Sequence, residues 1–258
     1  MTKRPFAAAS IAVLALGLAA CNNGRSTADT PITTTTPAGQ SAAPSSAEAA
    51  ARDRALVRVV HAVPAGAPVD VYADDVRVFD AVEYKAVTPY REVPGERASF
   101  IVRPAGTPQS EPLATNSEGL DDGDHYTVFA VPDDASGTEL LVVKDEQSLP
   151  PSGKARLRVV NATGDGGDID VVAAGRDEAL VGGVNRETVS DYETIDPVAG
   201  TLTVRPDGKR QALVTLRDVT FDAGKSYTVV VVGRGGSSSR VEAIVIQDEA
   251  AGPAATLP

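Results

Sequence analysis

Two histidines, one cysteine and several groups of aspartates are the residues of this 258-residue chain whose types could do chemistry. His61 and His125 alone carry side chains that ordinarily titrate near neutrality, so an acid–base or charge-relay device would have to use one of them. Neither has the company such a device needs. No serine stands in a Gly-x-Ser-x-Gly turn, and no His or Cys cluster has zinc spacing. A Gly-rich phosphate loop ending in Gly-Lys is missing, and Gly233-Arg234-Gly235-Gly236 with Ser237 to Ser239 reads as a hairpin turn. Both histidines therefore read as strand-end or turn residues that make hydrogen bonds, and a hydrolase built on either is the least favoured reading. The aspartates could hold calcium, which takes about six to eight oxygens and is bound weakly by loops of many extracellular modules. Asp74-Asp75, Asp121-Asp122-Asp124 and Asp165 with Asp168 and Asp170 all lie in or beside predicted turns, but none forms an Asp-x-Asp-x-Asp-Gly loop. Aspartate is also a favoured turn residue, so these read as solvated turns, with no metal site and no cofactor. Asp70 and Asp170 recur inside Val-Asp-Val and Ile-Asp-Val and read as outward carboxylates beside an apolar face. A sugar platform would want exposed aromatics. The chain has no Trp, and Tyr90, Tyr126, Tyr192 and Tyr227 recur as matched pairs, leaving only Tyr72 and Tyr84 for such a surface.

Cys21, the single thiol, stands at the end of Leu18-Ala19-Ala20-Cys21, behind basic Lys3-Arg4 and an apolar stretch from Phe6 to Leu18. A membrane-spanning helix needs roughly 20 apolar residues, and this stretch is shorter and runs into Asn22-Asn23-Gly24. An ordinary secretory cleavage site wants a small residue at −3, where Leu18 stands. The pattern instead resembles the lipobox of bacterial lipoproteins. That resemblance implies a signal peptide at 1–20, cleavage before Cys21, lipid on its sulfur and acylation of the new amino group. Each buried methylene contributes about 0.8 kcal/mol, so two or three chains make a stable membrane anchor. Asn22-Asn23 lacks the aspartate that marks inner-membrane retention in enteric bacteria, which favours the outer membrane in a Gram-negative organism. From 21 to 54, Thr, Ala, Ser and Pro dominate and bulky apolar residues are scarce, which predicts a disordered tether.

The net charge is −11, and loss of Lys3 and Arg4 with the leader makes the mature chain more acidic still. That balance, without a basic stripe, argues against nucleic acid and against electrostatic binding to anionic lipid. With its only cysteine at the anchor, the chain has no disulfide, and each fold must stand on an apolar core.

The remainder is one unit written twice. Arg58-Val59-Val60-His61-Ala62 returns as Arg158-Val159-Val160-Asn161-Ala162, and Leu141-Val142-Val143-Lys144-Asp145-Glu146 as Ile244-Val245-Ile246-Gln247-Asp248-Glu249. An offset of about 100 residues is too long for a solenoid and suits tandem domains, at 55–149 and 150–249, with a tail at 250–258. The proline-stiffened joint Leu149-Pro150-Pro151-Ser152-Gly153 predicts a restricted relative angle. Short segments rich in Val, Thr, Tyr and Ile alternate with Gly, Pro and Asp clusters. Strands are expected near 56–62, 68–73, 76–82, 88–93, 97–103, 111–117, 125–131 and 139–145. Copy two repeats them near 156–162, 168–173, 178–183, 188–194, 200–205, 211–219, 226–232 and 241–247. This is the pattern of an all-β chain with two tandem antiparallel sandwiches, immunoglobulin- or fibronectin-III-like.

Leu120 to Val128 and Phe221 to Val229 share a Gly-x-x-Tyr-Thr-Val close, which resembles the tyrosine corner of Greek-key sandwiches and gives that structural role to Tyr126 and Tyr227. With the Arg-Val-Val-His-Ala opening and Val-Asp-Val-Tyr at 69–72, each copy resembles a DUF4397 domain, over about 55–147 and 155–249. Copy two departs from it at Asn161 and Val172. The resemblance implies an extracytoplasmic sandwich and transfers no catalytic residue. The expected function is therefore that of a lipid-anchored, non-catalytic protein with a binding or structural role at the cell envelope. Its partners would be the membrane, through the lipid, and an envelope protein or polysaccharide; a carbohydrate- or calcium-binding module is the alternative.

Overall fold

The computed structural model describes residues 54–64, 66–133, 137–164, 166–233 and 241–248. The expected signal peptide, Cys21, the expected tether up to residue 53, Asp165, Arg234 to Ser239 of the expected hairpin turn and the expected tail lie outside the described residues.

Alternation is what makes the strands. In β5 (Glu96–Pro104), Ala98, Phe100 and Val102 are buried while Arg97, Ser99 and Ile101 face out, as a pleat of period two requires. Copy one adds β1 (Arg54–His61), β2 (Val69–Ala73), β3 (Val76–Val82), β4 (Arg91–Pro94), β6 (Ala114–Leu120), β7 (His125–Pro132) and β8 (Thr138–Lys144). Its two sheets run β4-β1-β7-β8 and β3-β2-β5-β6. Copy two comprises β9 (Ala155–Thr163), β10 (Ile169–Ala173), β11 (Val181–Val184), β12 (Thr188–Val189), β13 (Glu193–Ile195), β14 (Val198–Pro206), β15 (Val214–Phe221), β16 (Ser226–Gly233) and β17 (Val241–Asp248). Its sheets are β12-β9-β16-β17, with β13 also on β9, and β11-β10-β14-β15. Each copy is thus a β-sandwich with its own core, around Phe100, Val57 and Val128 in copy one and around Phe221, Leu157 and Val229 in copy two.

The sheets are not antiparallel throughout. β1 runs parallel to β7, and β9 parallel to β16. No tight turn joins these strands; five or six others intervene, which supplies the long connection a parallel pair needs. The apolar run Val229-Val230-Val231-Val232 gives the physical reason, because β16 is buried along its whole length on both faces, as is β7. One face of each lines its own core. The other lines a third cluster, where Val60, Ala62, Phe129 and Val131 of copy one meet Val160, Ala162, Val230, Val232 and Ile246 of copy two. The result is a stack of four sheets, the two central ones packed on each other.

Several strand bounds also shift by a few residues, and two of the shifts have a clear cause. The strand expected at 111–117 begins at Ala114, because Thr107 and Ser110 close successive turns onto Pro104 and Thr107 before pairing starts. The strand expected at 188–194 is broken into β12 and β13. Ser190 Oγ accepts the Val159 N–H at 2.9 Å, taking the place of a backbone carbonyl. Thr88 Oγ1 does the same for Val59 N–H in copy one, ahead of β4. These interruptions bring Tyr192 and Tyr90 to the central interface.

Candidate functional site

The interface carries charge where its strands read as apolar. In β1, the residue between Val57 and Val59 is Arg58; in β9, Arg158 lies between Leu157 and Val159. Both are almost fully buried, and they face the other copy because their neighbours' side chains fill the home core. Arg58 Nη2 pairs with Asp248 at the end of β17, and Arg158 Nη2 pairs with Asp145 just after β8. Each copy thus lends an arginine and receives one, an exchange with two-fold character.

Each aspartate is held by its own copy. Asp145 accepts from the Thr127 hydroxyl at 2.7 Å and from the Tyr90 hydroxyl at 2.7 Å. Asp248 accepts from Thr228 at 2.7 Å and from Tyr192 at 2.9 Å. The threonines link the circuit, accepting from Arg58 Nε and Arg158 Nε at 2.8 Å each. Tyr90 lies under the Arg58 guanidinium and Tyr192 under that of Arg158, 4.9 and 4.7 Å from ring centre. Two positive and two negative charges therefore sit dry and neutral in sum, with their hydrogen bonds largely satisfied, which is the condition for burying ions at all. Burial raises the Asp145 carboxyl, but Arg158 and Arg58 outweigh it and hold it below the usual carboxylate range. Burial, then Asp145, holds the Tyr90 phenol well above its ordinary value, and burial does the same for Tyr192.

Beside this interlock lies a groove of about 540 Å³ between the copies, lined by Lys144, Asp145, Arg156, Arg158, Asp191 and Tyr192 among others. Lys144 bridges Asp124 and Asp121, so two of the aspartates considered for calcium already hold a cation. Among the described residues no group of three or more His, Cys, Asp or Glu could hold a metal ion.

The histidines stand apart from each other in role. His61 closes the β1–β2 loop, its Nδ1 accepting from Val63 N–H at 3.4 Å and its Nε2 donating to Ala67 O at 3.3 Å. Asn161 does the matching job in copy two, donating to Gly167 O and Val184 O at 3.1 and 3.0 Å. His125 lies at the interface edge-on to Tyr90, 4.9 Å between ring centres, with Nδ1 buried and unpartnered. Among the described residues, neither histidine is bonded to a serine or threonine hydroxyl. The Tyr126 hydroxyl accepts from Asp121 N–H at 2.9 Å, and that of Tyr227 from Asp222 N–H at 3.0 Å.

Asp70 and Asp170 are not outward, solvated carboxylates. Both are buried. A register shift in the β2–β3 and β10–β11 pairs turns backbone amides toward them. Asp70 accepts from Ala81 N–H at 2.9 Å and Gly106 N–H at 3.1 Å, and Asp170 from Gly183 N–H at 3.1 Å. Ala81 and Gly183 both have positive φ, 47° and 63°, so the carboxylate steadies a backbone that alanine adopts reluctantly.

These environments set a pH profile. Burial lowers the pKa of His61 and His125, so below about 6.5 the unfolded chain takes up protons the folded one refuses, and stability falls. Below about 4 the loss steepens: unfolded carboxylates protonate while Asp145, depressed, stays charged, and its contribution vanishes as pH drops through its folded pKa. Above about 10 stability falls again, because unfolded tyrosines ionise while Tyr90 and Tyr192 stay neutral. Urea midpoints from pH 3 to 11 should trace this plateau, and His61→Asn, which installs the copy-two residue, should flatten part of the shoulder near 6.5. A midpoint unchanged down to pH 3 would refute the assignment.

The signal that could have found the interlock is charge repeated in both copies, Arg58 and Arg158 within apolar strands and Asp145 and Asp248 at strand ends; nothing in the sequence says which charge meets which. The family described as "Domain of unknown function (DUF4397)" matches residues 55–172 and again 159–257. No curated protein matches the chain. Among solved structures, the C-terminal domain of AlgF from P. aeruginosa is 23% identical, covering 37% of this chain and 99% of that one at a TM-score of 0.30. Candidate cell adhesion proteins from Parabacteroides distasonis and Bacteroides eggerthii are each 10% identical. They cover 75% and 76% of this chain and 97% and 96% of theirs, at TM-scores of 0.21 and 0.20. Likenesses this slight carry no argument about function.

Proposed function

The chain belongs to the DUF4397 family, which it carries twice in tandem, and from that premise we propose a non-catalytic binding or structural role at the bacterial cell envelope, with Cys21 as the lipid anchor. The observation that carries this reading is the interlock. Arg58, Arg158, Asp145, Asp248, Tyr90 and Tyr192 are engaged with one another, and His61 with its own loop, so these buried groups work as fasteners. A head fastened in this way presents the outer faces and loops of both sandwiches at fixed spacing. On a tether, such an arrangement favours recognition in which two modest contacts reinforce each other.

The test is metabolic labelling with palmitate followed by fractionation of the envelope. Wild-type chain should carry label and partition into detergent, in the outer membrane if the host has one. Cys21→Ser should lose the label and appear in the soluble extracytoplasmic fraction. Unlabelled wild-type protein, or a Cys21→Ser chain that stays in the membrane, would overturn the anchor.

A further inference from the structure

The duplication supplies its own control for the groove between the copies. At the interlock the two halves agree: Arg158, Tyr192 and Asp145 have Arg58, Tyr90 and Asp248 as counterparts. Along the groove they differ. Arg156 stands where copy one has Leu56, Asp191 where it has Pro89, and Thr194 where it has Glu92. Residues that do the same packing job have stayed alike in both halves; of the three that differ, Arg156 also ties the joint, its Nη1 donating to Ser148 O and Oγ at 2.9 Å each, whereas the side chains of Asp191 and Thr194 have no such contact among the described residues.

The chemistry of that lining is specific. Lys144 is matched by Asp124, Arg158 by Asp145, and Arg156 by Glu146 at 3.8 Å, so the charges cancel in pairs. Asp191 is left over, exposed and, among the described residues, without an ion pair or hydrogen bond on its carboxylate, while its backbone carbonyl accepts from Ser190 Oγ. The surplus is negative, which disfavours an anion. Val143 is the one aliphatic residue in the lining, so the apolar area is spread among polar and charged side chains and offers no continuous bed for a lipid tail. Arg158 also keeps one buried guanidinium nitrogen, Nη1, with no acceptor. A surface of alternating donors and acceptors with apolar stems between them suits a ligand of hydroxyls on a carbon frame, whose polar groups both donate and accept. About 540 Å³ is room enough for a few sugar rings.

We propose that the groove lined by Arg156, Asp191 and Thr194 binds a carbohydrate, neutral or amino-bearing, through hydrogen bonds to its hydroxyls. The stacking platform usual for sugars is absent, since the Arg158 guanidinium covers the Tyr192 ring, so the hydroxyl contacts carry recognition and affinity is modest. This deepens the envelope reading, on which it rests only for where the sugar is met.

The test titrates the full-length chain, in detergent micelles, with tetramers of N-acetylglucosamine, glucosamine and galacturonic acid. The neutral or the amino tetramer should bind saturably, at least tenfold tighter than the acidic one. Arg156→Leu with Thr194→Glu, which installs the copy-one residues and leaves the interlock untouched, should weaken that binding at least tenfold while far-ultraviolet circular dichroism shows the fold retained. Asp191→Asn, at an exposed site with no structural partner, should weaken the amino tetramer and relieve exclusion of the acidic one. No binding by either favoured tetramer, equal binding of the acidic one, or unchanged binding by these variants overturns the proposal. Palmitate labelling reads the anchor independently, so failure here leaves the envelope assignment standing and is distinguishable from its failure.

Discussion

Asp145→Ala should destabilise the folded chain by about 3–5 kcal/mol, the range for breaking a buried ion pair from one side. The substitution strands Arg158 Nη2, leaves the Tyr90 and Thr127 hydroxyls without their acceptor, and removes a charge 3.8 Å from Arg58. The damage comes from the charge left behind, not from the strength of the pair. The double replacement Asp145→Leu with Arg158→Met should therefore cost much less than Asp145→Ala, because it leaves no uncompensated ion. Urea unfolding of the three proteins at pH 7 checks both statements. A loss under about 1 kcal/mol for the single variant would mean that the apolar cluster around Phe129 and Val230 holds the copies together without the charges.

The second large effect concerns separation of the copies. A chain ending at residue 149 uncovers Val60, Phe129 and Val131 and leaves Arg58 and Asp145 facing solvent on the same sheet. The native interface joins two near-identical faces, so a second copy-one molecule offers what copy two offered, its Asp145 to Arg58 and its Arg58 to Asp145. The fragment should form a two-fold dimer with a dissociation constant of about 1 μM or below, measured by sedimentation equilibrium. Arg58→Asp should abolish that dimer by placing like charges opposite each other. A fragment that stays soluble and monomeric would show that the apolar face tolerates water.

Much of the fold is legible in the chain because it rests on local signals. Period-two alternation in Ala98-Ser99-Phe100-Ile101-Val102 names an exposed and a buried face without reference to anything distant. The repeat places sixteen expected strands in two equivalent sets, and most fall within a few residues of where the chain forms them. The misreadings share one cause. Asp70 looked outward because alternation alone assigns its face, whereas a register shift brings Ala81 N–H over it. The 188–194 strand looked continuous because nothing local announces that Ser190 Oγ will take a place in the ladder.

The sequence by itself determined an all-β chain built as a duplicated sandwich, with sole cysteine Cys21 in a lipobox-like context. These follow from periodicity, internal repetition and short motifs, all of which are read within a few residues. Only the tertiary structure decided that the two sandwiches share a face and that Arg58 pairs most closely with Asp248, 190 residues away, ahead of Asp145 of its own copy at 3.8 Å. The reason is physical. Val229 to Val232 say that both faces of a strand are covered but not by what, and an arginine in an apolar strand says that a counter-ion exists but not where. Packing of one sheet on another is the step that chooses the partner.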